Sequence, residues 1–395
     1  MNFLLLIPFL LGICLSSPIR TDKRDGVYSP NTTADSMEAG YGKPYAVFRP
    51  QVFIVSLFEL EREPWVKTLD FKHNITIPGL SPLYPEIYCT TNYTICHVTT
   101  GEGEINAAST ITALGLSPLF DLSKTYWLVA GIAGGVPEHT TIGGVTFAKY
   151  AVQAGLAYEI DWREIEGTNP EWNSSYFALG TKNPSSYPVN IYGTEVFELN
   201  ENLRDRALEL ASKAKLDNGT HQNAKYRALY PQKAAKSLPA VAACDVLTSD
   251  VYFTGNYLSD YFANYSRIIT NNTAKYCTSA QEDNASLEAF VRLDKFGLAD
   301  YKRIVVMRTV SDFVTPPPSM ANNTVEFFTN NTQGGIEASL NNLVHAGLPF
   351  VHDILEKWDA VYKEGKKYQP KNYIGDFFRT LGGKPDFGSP HYQIA

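Results

Sequence analysis

The chain has 395 residues, 44% hydrophobic and 19% charged, with a formal net charge of −7. That length supports a substantial core, and the composition excludes a disordered chain. An acidic balance without a Lys/Arg block argues against nucleic acid or an anionic membrane surface as partner.

In chain order, Phe3 to Leu15 is a short apolar run followed by Ser16-Ser17. It reads as a secretory signal peptide over 1–17, although its amino end lacks a positive charge. Lys23-Arg24 offers a dibasic processing site, so 18–24 reads as a propeptide and 25–50 as a polar leader. A single domain is expected over 51–395. Ten glycosylation sequons agree with a secreted, extracellular or cell-wall location: Asn31, Asn74, Asn92, Asn173, Asn218, Asn264, Asn271, Asn284, Asn322 and Asn330. Beyond the signal the longest apolar stretch, Tyr126 to Val136, is about half of a membrane span, so no transmembrane segment is expected.

Cys14 falls in the signal, leaving Cys89, Cys96, Cys244 and Cys277, an even set expected to pair in an oxidising compartment. Cys89 and Cys96 flank Thr-Thr-Asn-Tyr-Thr-Ile, which reads as a hairpin. They are therefore paired across it, and Cys244 with Cys277. No His/Cys grouping has zinc spacing, so neither a metal nor a cofactor is expected.

Gln51 to Leu57 is a continuous apolar run, the mark of a strand buried on both faces. The cysteine hairpin over Pro85 to Thr99 leads into Gly101-Glu-Gly-Glu-Ile-Asn-Ala-Ala, which opens a helix reaching about Gly115. A strand over 125–131 is expected to end in a glycine turn, Gly131-Ile-Ala-Gly-Gly135, and Gly144 to Leu156 has strand character. Residues 160–190 read as loop, and an amphipathic helix is expected from Val196 to Leu216. Then come a strand over 240–248, a strand-to-helix passage near 280 with Asn284 as N-cap, and a strand over 303–310. Two helices broken at Gly347-Leu-Pro349 follow. The alternation predicts an α/β fold, a three-layer αβα sandwich with a mostly parallel, mixed central sheet.

The strand ends carry acids: Glu59 and Glu61, Asp250, Glu282 and Asp312. In open α/β sheets, ligands sit outside the carboxyl ends of the strands, so one polar pocket is expected. Each residue also has a plain structural explanation. Glu61 sits in Glu59-Leu-Glu-Arg-Glu63, a solvated helix start; Asp312 caps a turn before Pro316; Glu282 answers a helix dipole; Tyr252 is core.

Five segments, in this order, resemble motifs of the nucleoside phosphorylase and nucleosidase superfamily: Gly101-Glu-Gly-Glu-Ile-Asn-Ala-Ala, Gly131-Ile-Ala-Gly-Gly135, Thr248-Ser-Asp250-Val-Tyr252-Phe, Gln281-Glu282-Asp-Asn and Arg308-Thr-Val-Ser-Asp312. The whole chain is similar to the fungal purine nucleoside permeases, sharing Phe53-Ile-Val-Ser-Leu-Phe-Glu59, Ala130-Gly-Ile-Ala-Gly-Gly-Val136 and Glu282-Asp-Asn. The resemblance implies a nucleoside phosphorylase-like fold and a small-molecule ligand, a purine nucleoside such as adenosine or guanosine. It implies that Asp312, beside Ser311, gives a proton to N7 of the leaving base, which requires burial to raise its pKa. It also implies that Glu282, with Asn284, meets the ribose hydroxyls. Tyr252 stacks on the base with Asp250 in the same segment, and Glu61 rather than Glu59 positions water. Gly131, Gly134 and Gly135 offer backbone N–H groups to an anion or a sugar oxygen. Sites shared across subunits in the superfamily imply a homo-oligomer.

Ile132 stands where the superfamily has a phosphate-contacting serine, and Arg62 alone stands near its first-strand arginine. Burying phosphate without donors is costly. Hydrolysis of the N-glycosidic bond is therefore favoured over phosphorolysis, in which phosphate would be a co-substrate. The alternative is a non-catalytic extracellular nucleoside-binding component of nucleoside transport, since a chain without a spanning element conducts nothing itself.

Overall fold

A computed structural model describes residues 47–330, 332–371 and 374–387. The signal, the propeptide, most of the leader and the sequon at Asn31 lie outside the described residues. The chain begins β1 (Val52–Ser56), α1 (Glu59–Thr68), β2 (Phe71–Ile75), β3 (Ile87–Thr90), β4 (Ile95–Thr99), α2 (Glu104–Leu116) and β5 (Tyr126–Gly135). It continues with β6 (Val145–Phe147), β7 (Tyr150–Gln153), β8 (Ala157–Glu159), α3 (Trp162–Ile165), β9 (Tyr176–Ala178), β10 (Val196–Glu198), α4 (Glu201–Ala211), α5 (His221–Arg227) and α6 (Lys233–Lys236). It closes with β11 (Val241–Ala243), β12 (Asp245–Thr248), α7 (Asn256–Ile269), β13 (Tyr276–Ala280), α8 (Asp283–Lys295), β14 (Ile304–Phe313), α9 (Thr324–Asn330) and α10 (Ile336–Glu356).

The main sheet is mixed, with the path β10-β7-β12-β13-β5-β1-β4-β3-β2 and a branch in which β14 joins β5 to β6 and β6 joins β11. β1 lies parallel to β4 and β5, and β5 parallel to β14. All five residues of β1 are buried, and alternation sends them to opposite faces. Phe53 and Val55 join a core with Ile111 and Leu114 of α2 and Leu287 and Phe290 of α8. Val52 and Ile54 join another with Trp65 of α1, Leu203 of α4 and Leu343 and Phe350 of α10. Helices on both faces of the sheet explain the unbroken apolar run, and the α/β sandwich is the expected one.

Four local expectations are corrected. Gly131 to Gly135 is the end of β5, not a turn, because it pairs with β14 from Arg308 to Phe313, with one register shift between Val310 and Asp312. Val196 to Glu198 is a strand antiparallel to β7; the helix starts only after Asn200, whose side chain accepts from Leu203 N, and it ends at Ala211. Helix α10 runs straight through Pro349, and Gly347 lets Trp65, Leu128 and Met307 press against its backbone. That tertiary packing outweighs the lost hydrogen bond of one proline. Residues 160–190 are not all loop, since α3 and β9 fall there. The cysteines pair as expected, Cys89 with Cys96 directly opposite on β3 and β4, and Cys244 with Cys277.

Candidate active site

The carboxyl ends of β1, β5, β13 and β14, the segment after β12 and the amino end of α10 enclose a cavity of about 760 Å³. That volume suits a small-molecule ligand. Its charged wall is built on Arg308, one guanidinium in the apolar run of β14 and almost wholly buried. Arg308 Nε donates to Asp283 Oδ2 at 3.1 Å and Nη2 to Asp283 Oδ1 at 2.9 Å, a two-pronged pair with the first residue of α8. Nη2 also reaches Glu282 Oε2 at 3.2 Å, and Nη1 donates to the Ile132 carbonyl at 3.1 Å.

Glu61 is buried against the same group. Its Oε2 accepts from Leu57 N and its Oε1 from Ile132 N, both at 2.7 Å. Sheet topology supplies the second donor. β5 pairs with β1 as far as Val129 and with β13 only from Gly134, so the Ile132 N–H opens onto an unpaired edge. Gly131 makes the approach feasible: a Cβ there would stand 2.5 Å from Arg308 Nη1 and 2.7 Å from Glu61 Oε1. Burial pushes the Glu61 carboxyl up to about 8 against the pull of Arg308, with the Glu282 charge adding to the rise.

Glu282 is buried, and its Oε1 accepts from Gly103 N at 3.1 Å, where α2 begins. Burial raises its pKa, opposed by Arg308 and by the Gly103 bond. Asp312 lies further along β14, its Oδ1 taking the Ser311 hydroxyl at 2.6 Å. Burial raises its pKa too, opposed by the Ser311 and Tyr252 hydroxyls. Tyr252 stands on the rim, 60% exposed, its ring 5.7 Å from that of Phe328. The Asp312 charge beside it pushes the phenol up. Phe253, Phe313 and Phe327 add apolar wall near this end.

Glu61, Glu282, Asp312, Tyr252, Ser311 and Gly134 therefore meet in one cavity. Glu59 does not; it is exposed and paired with Arg62. Four other expected site residues are absent from the cavity wall. Asp250 turns outward, and its Oδ1 accepts from Glu104 N at 2.8 Å. Asn284, in the first turn of α8, is buried, accepting from Thr248 Oγ1 at 2.6 Å and donating to the Thr194 carbonyl at 2.8 Å. Those bonds and its burial leave no room for a glycan on Asn284, and the N-cap of α8 is Glu282 instead. Gly131 and Gly135 lie beneath the surface, and their backbone belongs to the β5 ladder instead of forming an anion cradle.

Arg308 and Asp283 were not assigned roles from sequence. The signal was present, because an arginine inside Ile304-Val-Val-Met-Arg308 must find carboxylates once buried. Among the described residues no group of three or more His, Cys, Asp or Glu side chains is arranged to hold a metal ion.

The family model described as purine nucleoside permease matches residues 49–367. A purine nucleoside permease of Candida albicans is 62% identical over 366 residues, 93% of this chain and 90% of the relative. A probable purine nucleoside permease of Schizosaccharomyces pombe is 38% identical over 329 residues, 81% of this chain and 93% of the relative. Among solved structures, the chain is similar to a Streptococcus pneumoniae MTA/SAH nucleosidase bound to 8-aminoadenine, with TM-score 0.45, 16% identity, and 76% of this chain and 98% of that one covered. It is likewise similar to the futalosine hydrolase of Helicobacter pylori, with TM-score 0.45, 16% identity, and 79% and 98% covered. On the breadth of the model match and the identity to the Candida albicans relative, the chain belongs to the purine nucleoside permease family.

Proposed function

We propose that the protein hydrolyses the N-glycosidic bond of purine nucleosides such as adenosine or guanosine, releasing base and ribose outside the cell. The observation that carries this reading is the Glu61–Ile132 hydrogen bond beside an arginine already answered by Asp283 and Glu282. The Ile132 N–H is thereby taken and the Arg308 guanidinium already engaged, so neither is left to hold phosphate. Arg62 offers no substitute, since it pairs with Glu59 and lies 5.7 and 5.6 Å from the Tyr84 and Tyr88 ring centroids.

In this reading ionised Glu61 takes a proton from water, whose oxygen bonds to C1 of the ribose. The bond from C1 to N9 breaks, its electron pair passes to the base, and Asp312 gives its proton to N7. Glu282 accepts from the ribose hydroxyls, a bond that strengthens as the sugar becomes cationic. Six sequon asparagines (Asn74, Asn92, Asn173, Asn218, Asn271 and Asn322) are exposed, and two disulfides are formed, which supports a secreted protein. No helix among the described residues is long and apolar enough to cross a membrane. A part in uptake is then to supply free base to a separate transporter. Incubation with adenosine in phosphate-free buffer is expected to release adenine at an enzymatic rate; tight binding without turnover would select the non-catalytic reading.

A further inference from the structure

We propose that Gln333 is the positioning residue for Asp312, holding the end of β14 in the register that aims this acid into the cavity. The proposal rests on the acid role given to Asp312 above. On one edge β14 is paired with β6 over Met307 to Thr309, and the following Val310 bonds Gly143 N at 2.7 Å and the Gly144 carbonyl at 2.9 Å. Past Val310 no described strand continues that edge. On the other edge β5 continues, with a register shift between Val310 and Asp312. A shift of one residue turns every later side chain to the opposite face, so the local register decides whether the Asp312 carboxyl meets the ligand.

Gln333 closes the open edge. Its Oε1 accepts from Phe313 N at 2.7 Å and its Nε2 donates to the Phe313 carbonyl at 3.2 Å. Those are the two bonds that a residue exchanges with its partner in an antiparallel ladder. The Gln333 backbone is anchored in turn, its carbonyl accepting from Nδ2 of the fully buried Asn223 at 3.2 Å. Two residues on, Gly335 lies so close to the Ser311 carbonyl and Ile142 that a Cβ would overlap both. The segment thus presses on the residues before and after Asp312. Tyr230 steadies the same stretch from beyond, its hydroxyl donating to the Thr315 carbonyl at 2.8 Å and its ring 4.4 Å from Phe313.

Gln333→Ala is expected to lower adenosine turnover by about 10- to 100-fold, the scale of a misplaced reacting group, with KM little changed. A nitrophenyl riboside, whose leaving group needs no proton, should lose less than about threefold. Gln333→Glu keeps an acceptor for Phe313 N and should recover part of the adenosine rate; it also serves if the alanine variant fails to fold. Amide exchange at Phe313 should quicken in Gln333→Ala while the melting temperature holds. Equal losses on both substrates, or undiminished adenosine turnover, would overturn the proposal. Should the wild type turn over no nucleoside, the hydrolase reading falls, and Phe313 exchange then decides alone: faster exchange supports the clamp and unchanged exchange overturns it.

Discussion

Glu61 Oε1 accepts the Ile132 N–H at 2.7 Å, at the point where β5 has parted from β1 and not yet met β13. A backbone donor on the cavity wall is thereby committed to a carboxyl, and the parting of the strands sets the character of that end of the cavity.

Glu61→Gln should lower turnover by about 10²–10⁴-fold, the range for a lost general base. Because burial holds this carboxyl near 8, wild-type kcat/KM should rise with pH through about 8, as Glu61 loses its proton. Stability runs the opposite way. A folded pKa above the ordinary carboxylate value gives stability that is complete below that value and lost as pH rises through about 8. Paired pH–rate and urea series on wild type and variant check both signs; an acid limb that survives in the variant would reassign Glu61.

Asp312→Asn should slow purine nucleosides by about 10²–10⁴-fold and spare nitrophenyl riboside, since an amide cannot protonate N7. Burial raises the Asp312 pKa, so wild-type activity should fall on the alkaline side as the acid ionises. That limb should vanish in the variant. Equal losses on both substrates would make Asp312 a structural residue.

Arg308→Met should destabilise the protein by about 3–5 kcal/mol, because it leaves Asp283 and Glu282 buried without their cation. Urea unfolding measures it, and a loss below about 1 kcal/mol would mean that the carboxylates find other partners or protonate at little cost.

The two disulfides should contribute unequally. Cys244–Cys277 spans 33 residues and Cys89–Cys96 spans 7, a difference near 1.4 kcal/mol in the chain-entropy model. Removing each pair by Cys→Ala substitution and comparing urea midpoints tests the order; a larger loss from the short loop would reverse it.

Buried strands declared themselves in the sequence. Four successive apolar residues from Val52 have to lie between two helical layers, and three of the strand-end acids, Glu61, Glu282 and Asp312, converge on one cavity. The glycine run misled because glycine marks a turn and a close approach equally well; here Gly131 admits Arg308 and Glu61 within an extended strand. Asp250 misled because it turns to the Glu104 amide, and Asn284 because two residues along a helix swing a side chain by about 200°: Glu282 reaches the cavity while Asn284 points into the core. Gln333 left no trace, since a side chain standing in for a strand has neither period nor spacing.

The sugar product formed from adenosine in the presence of phosphate tests the central claim most directly. The Ile132 N–H committed to Glu61, and Arg308 to Asp283 and Glu282, predict free ribose in equimolar amount with adenine, at a rate that phosphate does not increase. Ribose 1-phosphate as the product would contradict it.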